Sequence, residues 1–465
     1  MNAALAMDIN KEIFRAYDIR GVAYEQLSIE TTEQIGLALG SQALFQGCET
    51  IVIARDGRLS SPDLWAALVK GLLATGINII DVGCVPTPVL YFATYHYQTK
   101  CGAMLTGSHN PGQYNGIKMI IDGRSISGDE VQNLYQRIVN QDYIYGTGSY
   151  QENFIIDDYI QQVASKIQLN KKLKIVIDNG NGISGVIAPK LYRALGCEVI
   201  SLYEEVDGNF PNHHPDPSNL DNLQVLIKTV LDNKADVGLA FDGDADRLGV
   251  VTDEAEVIMP DRQMMLFAKG ILDKHTNATI VYDVKCSSHL ADYILQHHGV
   301  PCMWKTGHSH IKNKMLETGA LLAGEMSGHI FFKERWYGFD DALYSGARLL
   351  EILANHYPEN SLHSICKILP DSFNTPEINI SISDDKKFGF IDQLSKNHDF
   401  KDYKKIITID GLRIELADGW GLVRASNTTP CLVLRFEANS EQALERIKQE
   451  FDRNIKLIDD SLSLM

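Results

Sequence analysis

Val237-Gly238-Leu239-Ala240-Phe241-Asp242-Gly243-Asp244-Ala245-Asp246-Arg247 sets five apolar residues directly against three acids and an arginine. A short apolar run that stops at a polar cluster reads as a buried strand ending in a loop. Upstream, residues 174–177 and 198–202 are also strand-like, while 185–195 and 220–231 carry helical spacing. The quoted run is therefore the third strand of a strand-helix-strand-helix-strand unit, the pattern of a parallel sheet covered by helices.

The same pattern occurs on either side. Residues 51–54, 77–82 and 102–105 alternate with helical segments 62–75, opened by Pro62, and 88–97, and lead into Thr106-Gly107-Ser108-His109-Asn110-Pro111. Residues 279–282, 301–304 and 321–323 alternate with 289–297 and 311–316 and run into Gly324-Glu325-Met326-Ser327-Gly328-His329. Each unit thus puts its most unusual polar cluster after its third strand, where open α/β sheets bind ligands.

Beyond residues 369–370 the texture changes to short strands (377–382, 405–408, 412–415, 431–436) and one amphipathic helix, 441–457. Arg424-Ala425-Ser426-Asn427-Thr428-Thr429-Pro430 falls between two of these strands. A chain of 465 residues is too long for one core. The expected fold is α/β: three similar α/β domains with mainly parallel sheets (1–153, 154–257, 258–368) and a smaller C-terminal α+β domain (369–465), around a central cleft.

A formal charge of −17 repels polyanions, which excludes nucleic acid and anionic membranes as partners, whereas a phosphorylated small molecule needs only a local basic patch. Residues 1–11 lack a basic segment followed by a long apolar core, and no apolar stretch is long enough to span a bilayer. Eight cysteines without a Cys-x-x-Cys pair read as free thiols in a reducing compartment. The expectation is a soluble, cytoplasmic protein.

Asp242, Asp244 and Asp246 alternate, so in an extended segment they would share one side and converge on a hard cation; Mg²⁺ suits the short loop better than Ca²⁺. A solvated acidic turn is the plainer alternative. Ser108 in a Gly/Pro/Asn setting also describes an ordinary turn, and His109 an ordinary loop residue. Lys118, close downstream, adds a group able to neutralise a phosphoserine and exchange a proton.

Glu325, Ser327 and His329 alternate too: carboxylate and hydroxyl suit paired sugar hydroxyls, and the histidine suits acid/base work. His308, after Thr306-Gly307, occupies a similar strand end. His213, His214, His297 and His298 lack such a setting and read as surface or packing residues. Arg424, Ser426, Asn427 and Thr428 offer a guanidinium and several donors, a cradle for a stationary phosphate, although a Ser/Thr turn before proline would look the same.

Taken together, Phe14-Arg15-Ala16-Tyr17-Asp18-Ile19-Arg20-Gly21, the Ser108 loop, the Asp242 loop, Asp283-Val284-Lys285-Cys286, Lys305-Thr306-Gly307-His308, the Glu325 loop and the Arg424 loop resemble, in order, the α-D-phosphohexomutases, most closely their bacterial phosphomannomutase/phosphoglucomutase group. The resemblance runs nearly end to end. It implies a four-domain, heart-shaped enzyme in which Ser108 carries phosphate and, with Asp242, Asp244 and Asp246, binds Mg²⁺. It further implies that Arg247 contacts the transferring phosphate and that Lys118 and His329 move protons, with Arg20 and His308 in support. Glu325 and Ser327 would grip sugar O3 and O4; Tyr17, Lys285, Arg424, Ser426, Asn427 and Thr428 would complete substrate binding.

The implied reaction interconverts hexose 1-phosphate and hexose 6-phosphate, with glucose 1,6-bisphosphate as activator and intermediate, in a monomer. Contacts to O3 and O4 do not separate glucose from mannose, so dual specificity is expected. Met326 and Ser426-Asn427-Thr428 depart from the glutamine and Ser-Gly-Thr usual in phosphoglucosamine mutases, the nearest alternative; a Mg-dependent sugar phosphatase is the alternative from another reaction class. Ala245 departs from the family's commoner glycine.

Overall fold

The computed structural model describes residues 9–427 and 429–464. Three of its sheets share one plan. Thr50–Arg55 lies between Asn78–Cys84 and Gly102–Leu105, all parallel. Lys174–Asp178 lies likewise between Glu198–Leu202 and Val237–Phe241, and Thr279–Asp283 between Val300–Trp304 and Leu322–Gly324. In each sheet the third strand pairs with the first on the side away from the second, so winding reverses there and leaves a crevice at the carboxyl ends.

After the third strand each chain segment turns back. Gly102–Leu105 pairs antiparallel with Tyr114–Ile121, Val237–Phe241 with Leu248–Thr252, and Leu322–Gly324 with Ile330–Phe332. The three polar clusters are thus wide hairpin connections. A connection of a few residues cannot hold a crossover helix, so the next apolar run can only pair antiparallel. Val237–Phe241 is buried throughout, as a central strand covered on both faces must be.

The fourth sheet is antiparallel, ordered Phe373–Asn374, Cys431–Ala438, Gly419–Ala425, Leu412–Glu415, Lys405–Ile407, with Ile378–Ser381 also on Cys431–Ala438. The sequence pattern does not single out Gly419–Ala425, because two glycines interrupt it. A Cβ at Gly419 would strike the Glu437 carbonyl and one at Gly421 the Phe451 ring, so close packing requires the glycines that hide the strand.

The expected helix 185–195 is a 3₁₀ turn, Ile183–Val186, followed by a short helix, Ala188–Ala194, with Pro189 in its first turn. The expected helix 220–231 likewise starts as a 3₁₀ turn and becomes α only over Gln224–Asn233. Helix Ala342–His356 is buried along most of its length.

One hydrophobic core runs through the first three units, from Val52 to Leu369. Across it the Tyr192 hydroxyl donates to the Leu343 carbonyl at 2.9 Å. The fourth unit is latched to the third by Arg413, which donates to the carbonyls of Val284 (2.7 Å) and Cys286 (2.8 Å) and stacks 3.7 Å over Trp420. Arg435 donates to the Lys285 carbonyl beside it. Among the described residues no helix is long and apolar enough to cross a membrane.

Candidate active site

All four units face one cavity of about 510 Å³. Tyr17, Arg20, Ser108 and Lys118 line it from the first unit, Arg247 from the second, Lys285, His308, Glu325, Ser327 and His329 from the third, and Arg424, Ser426 and Asn427 from the fourth. Thr428 lies outside the described residues. The basic patch that a net acidic chain needs for a phosphate is therefore built by residues far apart in sequence.

Ser108 sits at φ +49°, in the left-handed region that side chains avoid, at the tip of its hairpin. Its hydroxyl donates to Asp242 Oδ2 at 3.0 Å and lies 3.2 Å from His109 Nδ1. Burial first, and then the cations Arg247 and Arg20, hold His109 well below the usual imidazole range. His109 is thus a neutral partner rather than a plain loop residue. His214 contacts the His109 carbonyl through Nε2, a brace to the serine loop that no sequence signal announces.

The three acids converge, but not by the extended alternation expected from sequence. Residues 242–247 form a turn: Ala245 N donates to the Asp242 carbonyl at 3.0 Å, and Ala245 itself lies at φ +61°. Asp242 Oδ1 accepts from the backbone N–H groups of Asp246 (3.0 Å) and Arg247 (3.1 Å). Carboxylate oxygens of Asp242, Asp244 and Asp246 lie within 4.8 Å of one another, all buried.

Thr87, opening a helix of the first unit, donates to Asp244 Oδ2 at 2.6 Å. Among the described residues Asp244 Oδ1 and Asp246 Oδ1 are buried with no hydrogen-bond partner. Orphaned carboxylate oxygens in a dry site suit a hard divalent cation such as Mg²⁺, so the donor set fits that ion.

Lys118 lies on the returning strand, and its Nζ donates to Asp244 Oδ2 at 2.7 Å and to Asp246 Oδ2. Burial acts to neutralise this lysine, yet Asp244 and Asp246 outweigh it and hold Lys118 well above the usual ammonium range. Asp242 goes the other way: burial and its two acidic neighbours push its carboxyl well up.

His329 bridges the second and third units. Arg247 Nε donates to its Nε2 at 3.0 Å, while Nδ1 is 3.1 Å from Asp340 Oδ2 and 3.4 Å from Asp246 Oδ1. Asp340 also accepts from Lys312 at 3.0 Å. Sequence reasoning missed this buried pair, which stands alone in sequence and has no motif around it. His308 opens helix His308–Thr318, its ring 5.0 Å from Tyr17 and 5.7 Å from His329.

Glu325, Ser327 and His329 likewise come together through a turn, not an extended segment: Glu325 N donates to the His329 carbonyl at 2.9 Å and Gly328 N to that of Glu325 at 3.0 Å. Glu325 Oε1 accepts from Gly307 N at 2.5 Å. Burial and Asp283 raise its carboxyl to about 7 against the opposing pull of His329.

Several cations are held by acids that the sequence did not nominate. Arg20 donates to Asp18 (2.5 Å) and Asn110 (2.8 Å), Lys285 to Glu377 (2.5 Å), and Arg424 Nε to Asp410 (3.0 Å). Among the described residues Arg424 Nη2 is buried without a partner, a donor open to a ligand. Arg58, also unnominated, lies buried behind the serine loop.

The family model described as phosphoglucomutase/phosphomannomutase, alpha/beta/alpha domain I, matches residues 11–144; those for domains II and III match 157–255 and 259–373, and that for the C-terminal domain matches 377–454. The chain is 51% identical over 462 residues to a Pseudomonas aeruginosa protein named phosphomannomutase/phosphoglucomutase, covering 99% of each. It is 48% identical to a Neisseria gonorrhoeae phosphoglucomutase, covering 95% of this chain and 96% of that one. A crystal structure of a phosphoglucomutase/phosphomannomutase family protein from Burkholderia thailandensis superposes with a TM-score of 0.92 at 48% identity, covering 97% and 98%.

Proposed function

The chain belongs to the phosphoglucomutase/phosphomannomutase family, and from that premise we propose that it interconverts the 1- and 6-phosphates of mannose and glucose through a phosphorylated Ser108. The observation that carries this reading is the cavity into which serine hydroxyl, Glu325 loop and Arg424 cradle open together, with the acidic cluster buried directly behind Ser108 and Lys118. Ser108 hands its phosphoryl group to the free hydroxyl of a bound hexose monophosphate. The resulting 1,6-bisphosphate turns over in the cavity and returns its other phosphate to Ser108. A site that accepts both ends of one sugar needs cations at more than one wall, and Arg20, Arg247, Lys285 and Arg424 supply them.

Asp242, Asp244 and Asp246 would hold Mg²⁺ together with the phosphorylated Ser108, and the ion would offset charge on the phosphoryl oxygens. Arg20 and Arg247 add donors to the same oxygens. His329, oriented by Asp340, takes or returns the sugar hydroxyl proton at Nε2 once Arg247, which donates to that nitrogen, has turned to the phosphate. Lys118 serves as a cation and proton donor, in keeping with its carboxylate partners. Glu325 and Ser327 grip O3 and O4, with His308 and Tyr17 beside them. Arg424, Ser426, Asn427, Thr428 and Lys285 hold the phosphate that is not moving.

Glucose 1,6-bisphosphate acts as activator, since it can rephosphorylate Ser108. Each of the four units supplies lining residues to the cavity, and we take the working form to be a monomer. Eight unpaired cysteines fit a reducing cytoplasm. We divide the chain after residues 153, 257 and 368; the pairing of Phe373–Asn374 within the fourth sheet supports the last division.

The test is the intact mass of the purified protein, read for phosphate, followed by coupled assays on mannose 1-phosphate, glucose 1-phosphate and glucosamine 1-phosphate with Mg²⁺. Turnover of the first two that depends on traces of bisphosphate is expected. Steady release of inorganic phosphate would indicate a phosphatase instead, and a preference for the amino sugar a phosphoglucosamine mutase.

A further inference from the structure

Arg58 is 2% exposed, and it does not line the cavity. Nη2 donates to the carbonyls of Ser108 and Asn110, both at 2.6 Å; Nη1 donates to those of Pro111 (2.7 Å) and Tyr114 (3.0 Å). Nε pairs with Asp56 Oδ2 at 3.2 Å, and the other oxygen of Asp56 accepts from Arg58 N and Ser61 Oγ. One planar cation thus gathers four carbonyls of the loop that carries Ser108, a geometry five fixed donors can meet and a single ammonium cannot.

The second unit locks this arrangement. Phe210 lies 5.3 Å from the guanidinium, and a Cβ at Gly208 would strike Leu59 N and Arg58 Cα. A Cβ at Gly107 would fall 2.4 Å from Arg58 Cζ, so the serine loop leaves room for this side chain and nothing more. Four carbonyls turned inward onto one cation also explain how Ser108 persists at φ +49°: its carbonyl is held back while its hydroxyl faces Asp242.

We infer that Arg58 is a positioning residue for phosphoryl transfer, holding the Ser108 loop in the backbone conformation that aims the hydroxyl at the acidic cluster. This rests on the reading of Ser108 as the residue that carries phosphate. Arg58 lies outside the cavity lining, behind the serine loop, so its loss should appear in kcat and leave substrate capture alone.

The experiment compares the full-length Arg58→Lys, Arg58→Gly and Gly107→Ala proteins with the unaltered one, with thermal unfolding to establish folding. Gly107→Ala keeps the guanidinium but pushes on it, which guards against a glycine variant that fails to fold. In each folded variant kcat for glucose 1-phosphate is expected to fall about 100-fold, the usual effect of a displacement near 1 Å, with KM within about threefold. Guanidinium chloride at millimolar concentration should return at least about tenfold of the lost kcat to Arg58→Gly and none to Arg58→Lys.

A folded variant with kcat within twofold of the unaltered protein overturns the inference, as does a loss seen wholly in KM or one in Arg58→Gly that guanidinium leaves unchanged. Ser108→Ala is run alongside. Normal turnover in that protein would sink the phosphoserine reading itself, whereas an inactive Ser108→Ala beside normal Arg58 variants would sink only the role given to Arg58.

Discussion

Gly243→Ala probes a close backbone approach between the first two units. A Cβ at Gly243 would lie 2.4 Å from the backbone carbonyl oxygen of Ser108 and 3.3 Å from its carbon. Ordinary carbon–oxygen contact needs about 3.4 Å, so the metal loop and the serine loop must part by about 1 Å. Neither side yields easily: one is backbone held by Arg58, the other a turn closed by Asp242. The hydroxyl–carboxylate bond of 3.0 Å between Ser108 and Asp242 would stretch past hydrogen-bonding range.

Overpacking of this kind costs about 1–3 kcal/mol of stability. A displacement near 1 Å at a reacting group lowers the rate about 100-fold, or ~2.7 kcal/mol in the barrier. The assay is steady-state conversion of glucose 1-phosphate at several Mg²⁺ concentrations, with thermal unfolding in parallel. Expected are a kcat near one hundredth of the unaltered value, a higher Mg²⁺ requirement and a modest loss of stability. Ala245→Gly, two residues further on in the same turn, should be near neutral, because relief of the left-handed alanine at φ +61° and the added freedom of the unfolded chain nearly cancel. A Gly243→Ala protein with kcat within threefold and unaltered Mg²⁺ dependence would refute the argument that contact between these loops sets the transfer geometry.

Ser108→Ala should fold normally, show no phosphate by intact mass and lose nearly all turnover; undiminished activity would remove the serine from the reaction. Arg424→Ala should raise KM for hexose phosphate about 10- to 100-fold, because a charged hydrogen bond to phosphate is made in ground and transition states alike, and a collapse of kcat at constant KM would contradict it. Glu325, raised to about 7, should bind sugar as a carboxylate only above that pH, so KM should fall as pH rises through 7, a dependence that Glu325→Gln would flatten. Because its folded-state value lies above the ordinary 4.5, the folded protein binds the extra proton between the two. Glu325 should therefore cost on the order of 3 kcal/mol of stability as pH climbs through that window. Urea unfolding at pH 5.5 and 7.5 that gives the same pH response in Glu325→Gln as in the unaltered protein would disprove this.

The repeating strand and helix units and the three polar loops after their third strands were legible because each depends on residues close in sequence. A five-residue apolar run ending in acids is a strand with a loop wherever it occurs. Where packing overrides local pattern the reading fell short: the glycine-broken strand Gly419–Ala425 was not singled out, and two polar loops assumed extended are turns. Arg58, Asp340, Lys312 and Thr87 were invisible, since an isolated charged or hydroxyl residue shows its purpose only beside its partners.

The sequence by itself determined which chemical groups each unit presents and at which strand end, because hydrophobic periodicity and turn chemistry act over a few residues. Only the tertiary structure decided that four such ends face one hollow, that Lys118 stays charged between Asp244 and Asp246, and that a buried guanidinium sets the backbone of Ser108. These outcomes follow from desolvation and Coulomb interaction between groups tens to hundreds of residues apart, whose strength depends on distances that only packing creates.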